Sequence, residues 1–320
     1  VSGGGGGAIE LVVPPEAAGT RLDRFAAARV GVSRAELQRW IAAGRVTVDG
    51  ATREASAALK AGACVVVRPG EAPATEARPE PGVVFRVMHV DDAIVVIDKP
   101  AGLVVHPARG HEGGTLVNGL LAMGLFPLGE ADGNARPGIV HRLDKGTTGV
   151  MVVARTAAAR EALKAQFQAH SIDRAYLALV AGEARQTTHA TLHGRHPRDR
   201  MRFTSRVRLG KRAVTHVRVI ERLEGATLVE CTLETGRTHQ IRMHLSEAGT
   251  PVLGDPLYGR PARDPFVRSV ADRLGHQALH AALLGFVHPA TGARVRFTAP
   301  EPPDFREALR ELRAGPGGGA

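Results

Sequence analysis

Residues 71–82, EAPATEARPEPG, mix proline, alanine, glutamate and glycine without an apolar period, and such a stretch reads as a linker rather than as part of a packed element. It divides the 320-residue chain into a small unit and a large one. The limits that follow are a flexible tail over 1–18, a small unit over 19–70, the linker 71–82, a large unit over 83–313 and a second tail over 314–320. The tails are assigned because the glycine runs Gly3 to Gly7 and Gly317 to Gly319 lose too much backbone entropy on ordering to fold by themselves. With 43% apolar and 23% charged residues, both units can bury a core.

The small unit reads as α, α, then β. Thr20 is a candidate N-cap, with Leu22, Phe25 and Ala26 on one helical face and a stop at Gly31. Ser33 with Glu36 forms a capping-box pattern for a second helix, whose Leu37, Trp40 and Ile41 face the core and which ends at Gly44. Val46 and Val48 then alternate into an Asp49-Gly50 turn, and Val65 to Val67 supply another strand. Capping accounts for Asp23 and Glu36, so Arg21, Arg24, Arg29, Arg34 and Arg39 are expected to form one basic face. A solvated helix surface is the alternative.

The large unit shows many short β signals, among them 83–90, 94–97, 150–153, 176–180, 214–220 and 228–233, each broken by Gly, Pro or charged turns. The clearest helices are predicted over 157–170 and 239–248. The fold class is therefore α+β, with an extended and mostly antiparallel sheet.

Lys plus Arg number 42 against 32 Asp plus Glu, a net charge of +10, and this balance favours a polyanion as partner. The stretch 195–212 concentrates Arg195, Arg198, Arg200, Arg202, Arg206, Arg208, Lys211 and Arg212 against Asp199 alone, a density that suits phosphate contacts or a solvated hairpin. Cys64 and Cys231 are too few and too far apart for a disulfide framework or a thiolate zinc site. His239 and His244 lie five apart and do not share a helix face as zinc ligands would; His106, His111, His193 and His196 read as loop residues without paired acids. No metal or other cofactor is expected. The N-terminal stretch VSGGGGGAIE has no cationic start followed by an apolar run, and no uncharged run approaches the roughly 18 residues that span a bilayer. A cytoplasmic setting is expected.

In HRLDKGTTGVMVVA, Asp144 occupies a short polar loop directly before an apolar strand. By itself this is as readily an Asx-turn as a reactive carboxylate. The segment resembles the signature of the RluA/RluD family of RNA pseudouridine synthases. Residues 97–107 (IDKPAGLVVHP), 174–178 (RAYLA), 211–219 (KRAVTHVRV), 234–244 (ETGRTHQIRMH) and 254–259 (GDPLYG) follow that family's pattern in its order. The string RLDRFAAARVGVSRAELQRWIAAGRVTVDG resembles the small RNA-binding domain first described in ribosomal protein S-four, which the RluD-like branch carries. Asp49 stands where that domain usually has Asn, Gly146 where the synthases often have an acid, and His276 where they usually have Arg. The last two departures are expected to bear on substrate choice.

The resemblance implies a pseudouridine synthase fold with a mixed, mostly antiparallel sheet flanked by helices. The activity it implies is isomerisation of specific uridines in large-subunit ribosomal RNA, a reaction that requires no cofactor, and a monomer is the default expectation. It implies Asp144 as catalytic carboxylate, Tyr176 as the ring that stacks on uracil, and Arg237 as the cation beside Asp144, with Arg242 as second choice and otherwise a member of the RNA-binding set. Arg142 would fill the gap left by the extruded nucleotide, while His141 orders the loop and belongs with it to the RNA-binding set. Arg21, Arg24, Arg34 and Arg39 on the small unit and Arg198, Arg200 and Arg202 on the large one would hold RNA. The rival reading is a noncatalytic RNA-binding or ribosome-assembly factor on the same fold.

Overall fold

The computed structural model describes residues 8–32, 34–70, 77–107, 113–125 and 138–317. Contacts divide the chain into two compact units that meet in sequence at residue 74. Ser33, His111 and the first half of the expected linker, residues 71–76, lie outside the described residues.

The first unit contains β1 (Ile9–Val12), α1 (Leu22–Val30), α2 (Arg34–Ala42), β2 (Val46–Val48), β3 (Ala51–Thr52) and β4 (Cys64–Val67). Its antiparallel sheet runs β1-β4-β2-β3. Asp49 and Gly50 adopt φ 51° and 80°, the double left-handed geometry that a two-residue hairpin requires. Leu22, Phe25, Leu37 and Trp40 from the helices bury against Val46, Val65 and Val67 from the sheet.

Two expectations fail in this unit. The segment 1–18 is not a tail throughout, because β1 pairs residue for residue with β4, and Ile9, Leu11 and Val13 join the core. Nor do Thr20 and Asp23 act as caps: Arg21 occupies the N-cap position of α1 without a capping bond. Asp23 is instead fully buried, and it accepts from Arg21 at 3.0 and 3.1 Å, Arg34 at 2.8 Å and Gln38 at 2.6 Å. Hydrogen bonds from Arg21 foremost hold its carboxyl far below the usual range against the opposing effect of burial. The apolar packing of α1 on α2 thus carries a buried ionic knot.

The second unit comprises β5 (Arg86–Val90), β6 (Ile94–Lys99), α3 (Leu116–Ala122), β7 (Thr148–Ala154), α4 (Ala157–Gln168), β8 (Asp173–Ala181), β9 (Thr187–Arg195), β10 (Phe203–Thr204), β11 (Lys211–Leu223), β12 (Ala226–Leu233), α5 (Gln240–Glu247), α6 (Pro265–Leu274), β13 (Leu279–Val287), β14 (Arg294–Thr298) and α7 (Pro303–Ala314). Its ten strands run β10-β9-β11-β12-β8-β13-β7-β6-β5, with β14 added on β13. Among the described residues, β13 with β7 is the one parallel strand pair. The expected α+β class with a mixed, mostly antiparallel sheet is what the chain forms.

Residues 77–82 belong to this unit and not to a linker. Asn118 Nδ2 donates to the Arg78 carbonyl at 2.8 Å, and Glu80 accepts from the Gly114 amide at 2.8 Å.

β7 is buried along its whole length because both faces of this part of the sheet are covered. Val95, Ile97, Met151 and Val153 pack on α3, while Ile94, Val96, Val150 and Val152 pack with Leu163 of α4. On the other half of the sheet, α6 and α7 place Val267, Val270, Phe305 and Leu312 in one core with Leu179 and Val229 of β8 and β12. Cys231 is buried there, and burial pushes its thiol up to about 12, so it packs as a small apolar residue. The loop carrying Asp144 leads directly into β7. At Gly149 (φ 107°) a Cβ would lie 2.2 Å from the Ala281 carbonyl oxygen, so only glycine lets β13 approach there.

Candidate active site

A cavity of about 530 Å³ opens where the loop before β7, the middle of β8, and the turn from β12 into α5 converge. Asp144, Tyr176, Arg237, His239 and Arg242 line it. The strand β8 alternates, so Arg174 and Tyr176 project to the same side and both reach the cavity wall. Burial raises the Tyr176 phenol above its ordinary value, opposed by Arg174 and reinforced by the Asp144 charge. The phenol therefore stays protonated in neutral solution.

Asp144 accepts from Arg242 Nη1 on Oδ2 at 2.7 Å. Arg242 is the third residue of α5 and is almost wholly buried. Its other two donors are spent on one carboxylate: Nε and Nη2 bond Asp255 at 2.7 and 2.8 Å. Asp255, fully buried, is fixed in turn by the Leu257 and Tyr258 amides at 2.9 Å each. Burial pushes Asp255 upward, but the hydrogen bonds and charge of Arg242 outweigh it and leave the group below its usual range. The guanidinium is raised in the same balance, since Asp255 and Asp144 together exceed the cost of burying it.

Arg237, the first-choice partner of Asp144 from the sequence, does not make that pair. It shares the cavity, but its amide donates to Gln240 Oε1 at 3.0 Å and its Nε to the Arg212 carbonyl at 3.3 Å. Gln240 is itself pinned to Val214 and Thr215 of β11. This bracing turns the loop side chain toward β11 and leaves the inward position to Arg242.

His141 is held to β7, where its Nε2 accepts from the Val152 amide at 3.1 Å, and its ring stacks on Phe167 at 4.5 Å. Burial foremost, with Arg174, pushes it down to about 3, so it is a neutral brace. The residue is half-buried and lines the cavity beside Arg142. Arg142, next in sequence, is exposed at the cavity rim.

Several residues of this site escaped the sequence reading. Lys99 is fully buried and donates to the carbonyls of Pro100, Leu103 and Lys145 at 2.9, 2.9 and 3.1 Å. It thereby ties the loop after β6 to the loop of Asp144, and burial brings its ammonium down to about 7. Its signal was the DKPAG string. Asp255 lay in GDPLYG and His239 in GRTHQIR, but nothing local to those strings says that they meet Asp144. The two departures Gly146 and His276 prove to be neighbours: a Cβ on Gly146 would lie 3.1 Å from His276 Cβ and 2.4 Å from Gln277 Oε1. His276 bonds Asp304 of α7 at 2.6 Å, and the two departures adjoin one another where the Asp144 loop meets the segment before β13.

The basic stretch runs from the end of β9 through a turn over 196–202 and the short β10 to the start of β11. Arg198 and Arg200 are exposed on it, whereas Arg202 is half-buried with its guanidinium over the Tyr258 ring at 5.1 Å. Within the first unit, Arg21, Arg24, Arg34 and Arg39 are all exposed residues, two of them leaning on Asp23. His193 lies in β9, buried, and bonds the Thr238 carbonyl at 2.9 Å, so it is not a loop residue. Among the described residues no group of three His, Cys, Asp or Glu side chains stands close enough to hold a metal ion. None of the helices among those residues is long and apolar enough to cross a membrane.

A family described as RNA pseudouridylate synthase matches residues 93–247, and the S4 domain matches residues 20–63. The chain is 44% identical to "Ribosomal large subunit pseudouridine synthase D" of Xanthomonas campestris, over 95% of this chain and 92% of that protein. It is 44% identical to the protein of the same name in Pseudomonas aeruginosa, over 94% of each. Among solved structures, "Human RNA Pseudouridylate Synthase Domain Containing 4" superposes with a TM-score of 0.54 at 27% identity, over 71% of this chain and 93% of that one. The chain belongs to the RNA pseudouridylate synthase family and is a pseudouridine synthase with an N-terminal S4 domain.

Proposed function

We propose that this enzyme isomerises specific uridines of large-subunit ribosomal RNA to pseudouridine, with Asp144 as the catalytic carboxylate. The observation that carries this reading is the Asp144–Arg242 pair at 2.7 Å within the cavity that Tyr176 also lines. The reaction detaches uracil from the anomeric carbon of ribose, turns it, and rejoins it through carbon 5. A carboxylate can serve by attacking the anomeric carbon or by removing the neighbouring ribose proton; both routes need it ionised. Arg242 pairs its charge with Oδ2 from a buried position and leaves Oδ1 for the substrate.

Uridine in a stacked strand cannot reach the floor of such a cavity, so the nucleotide must be extruded. Arg142 at the rim is placed to occupy the gap, and Tyr176 to lie against the uracil face. The large-subunit RNA follows from the names of the relatives. The S4 domain, through Arg21, Arg24, Arg34 and Arg39, and the turn bearing Arg198 and Arg200 add phosphate contacts that position the RNA without reading its sequence. Arg202 contributes through packing on Tyr258. The working form is taken to be a monomer.

The test is tritium release from large-subunit RNA labelled at carbon 5 of uridine. Wild-type protein should release tritium, and Asp144→Asn should release none while binding the same RNA with unchanged affinity. Release by the variant at the wild-type rate would remove Asp144 from the mechanism. Mapping pseudouridines in ribosomal RNA from cells lacking the gene then names the uridines, and an unaltered large-subunit map would overturn the substrate.

A further inference from the structure

His239 immediately precedes α5 and sits at φ 57°, ψ 20°, the left-handed region that is costly for a side chain of this kind. Strain of this sort persists only where surrounding structure enforces it, and it gathers at active sites. The surroundings here are two aromatic rings, each nearly perpendicular to the imidazole: Phe203 at 5.7 Å and Tyr258 at 5.5 Å.

The hydrogen bonds suit one tautomer. His239 Nδ1 lies 3.2 Å from the Tyr258 hydroxyl. That hydroxyl accepts the Phe203 amide at 2.7 Å and has its own proton to give to Nδ1. With Nδ1 as that acceptor, the ring proton is on Nε2. Nε2 in turn lies 3.8 Å from Oδ1 of Asp144, while Arg242 occupies Oδ2. The charged groups around the ring are Asp144, Asp255, Arg242 and Arg142; burial foremost, helped by the two arginines, holds the imidazole below its ordinary value against the two acids. The ring is neutral, with its N–H turned to the reactive side of the carboxylate.

We propose that His239 is a positioning residue for Asp144, presenting a neutral Nε2–H beside Oδ1 so that the oxygen left free by Arg242 is held toward the bound nucleotide. A closure of about 1 Å brings the 3.8 Å separation into hydrogen-bond range. His244, the other histidine of the motif, has no such part: it bonds Thr215 and Thr191 at 2.9 Å each.

The inference rests on Asp144 being the catalytic carboxylate, and the experiment separates the two. Wild type, Asp144→Asn, His239→Gly and His239→Asn are compared as full chains by tritium release, RNA affinity and thermal melting. Asp144→Asn tests the underlying reading alone. His239→Gly removes the imidazole but suits the left-handed backbone, so its melting temperature should equal or exceed that of wild type. Its kcat should fall at least about tenfold, with KM for RNA within about twofold of wild type. His239→Asn tolerates the same backbone and restores a side-chain N–H, so it should recover part of the lost kcat. The proposal is overturned if His239→Gly keeps wild-type kcat while Asp144→Asn is inactive. It is equally overturned if both His239 variants lose kcat in step with melting temperature, as a purely structural residue would.

Discussion

Each unit of this protein buries an aspartate against arginine, and the two sites come to opposite ends. Asp23 is sealed from solvent and takes hydrogen bonds from Arg21, Arg34 and Gln38 on its two oxygens. Asp144 keeps 17% of its side chain exposed, and one oxygen is bound by a single guanidinium. The partners differ in the reverse sense. Arg21 and Arg34 are about half exposed, whereas Arg242 is 6% exposed and needs a second carboxylate, Asp255, to be held there. A saturated carboxylate is an internal staple; a carboxylate with one oxygen fixed and one left open can react. The extra acid in the second site relieves the cost of burying the cation that does the fixing.

The contrast breaks most visibly at Asp144 itself. Asp144→Asn should lower turnover by about a thousandfold or more with little change in melting temperature, whereas Asp23→Asn should leave turnover on saturating RNA intact and lower the melting temperature of the first unit by about 5 °C. Tritium release and calorimetry read the two effects. Equal losses of activity would mean that the two carboxylates do not differ in kind.

Arg242→Lys should cost about 100-fold in kcat, because one ammonium cannot span Asp144 and Asp255 as a planar fork does. Arg242→Ala strands the buried Asp255 and should also destabilise the second unit by about 3–5 kcal/mol in denaturant titration. Arg237→Ala, lacking that pairing, should change kcat by less than about tenfold. A larger effect at Arg237 than at Arg242 would restore the pairing expected from the sequence.

Acid sharpens the comparison further. Asp23 and Asp255 both titrate below their ordinary range in the fold. Their contribution is fully present above the unfolded value of about 3.9 and is lost as pH falls through the lower folded values. Asp23→Asn should flatten this acid loss for the first unit and Asp255→Asn for the second, followed by melting between about pH 5 and 2.

The smallest effects belong to the exposed arginines. Arg24→Ala and Arg39→Ala should each reduce the slope of log affinity against log salt by about one. Arg21→Ala should reduce it less, because Arg21 is already shared with Asp23.

Local patterns carried much of the architecture. The two short helices, the Asp49-Gly50 turn and the helix beginning after His239 follow from apolar spacing, glycine stops and turn chemistry, all of which act within a few residues. α6 was just as legible, since Asp264 caps it, Pro265 opens it and Gly275 ends it, yet it went unread among the strand signals. β1 was hidden by the adjoining glycines, although Ile9 and Leu11 alternate. Asp23 was misread because capping is the nearest local explanation for an acid at a helix start, while its real partners Arg34 and Gln38 come 11 and 15 residues later on α2.

The order of residues alone decided that a carboxylate at 144 would precede an apolar strand and that a helix would start near 239. It could not decide which arginine faces that carboxylate. Asp144 and Arg242 stand 98 residues apart, and their meeting depends on how the sheet stacks β12 and α5 beside the loop before β7. Five positions in sequence separate Arg237 from Arg242, but the Gln240 bracket and the pull of Asp255 choose between them, and those forces exist only once the chain is folded.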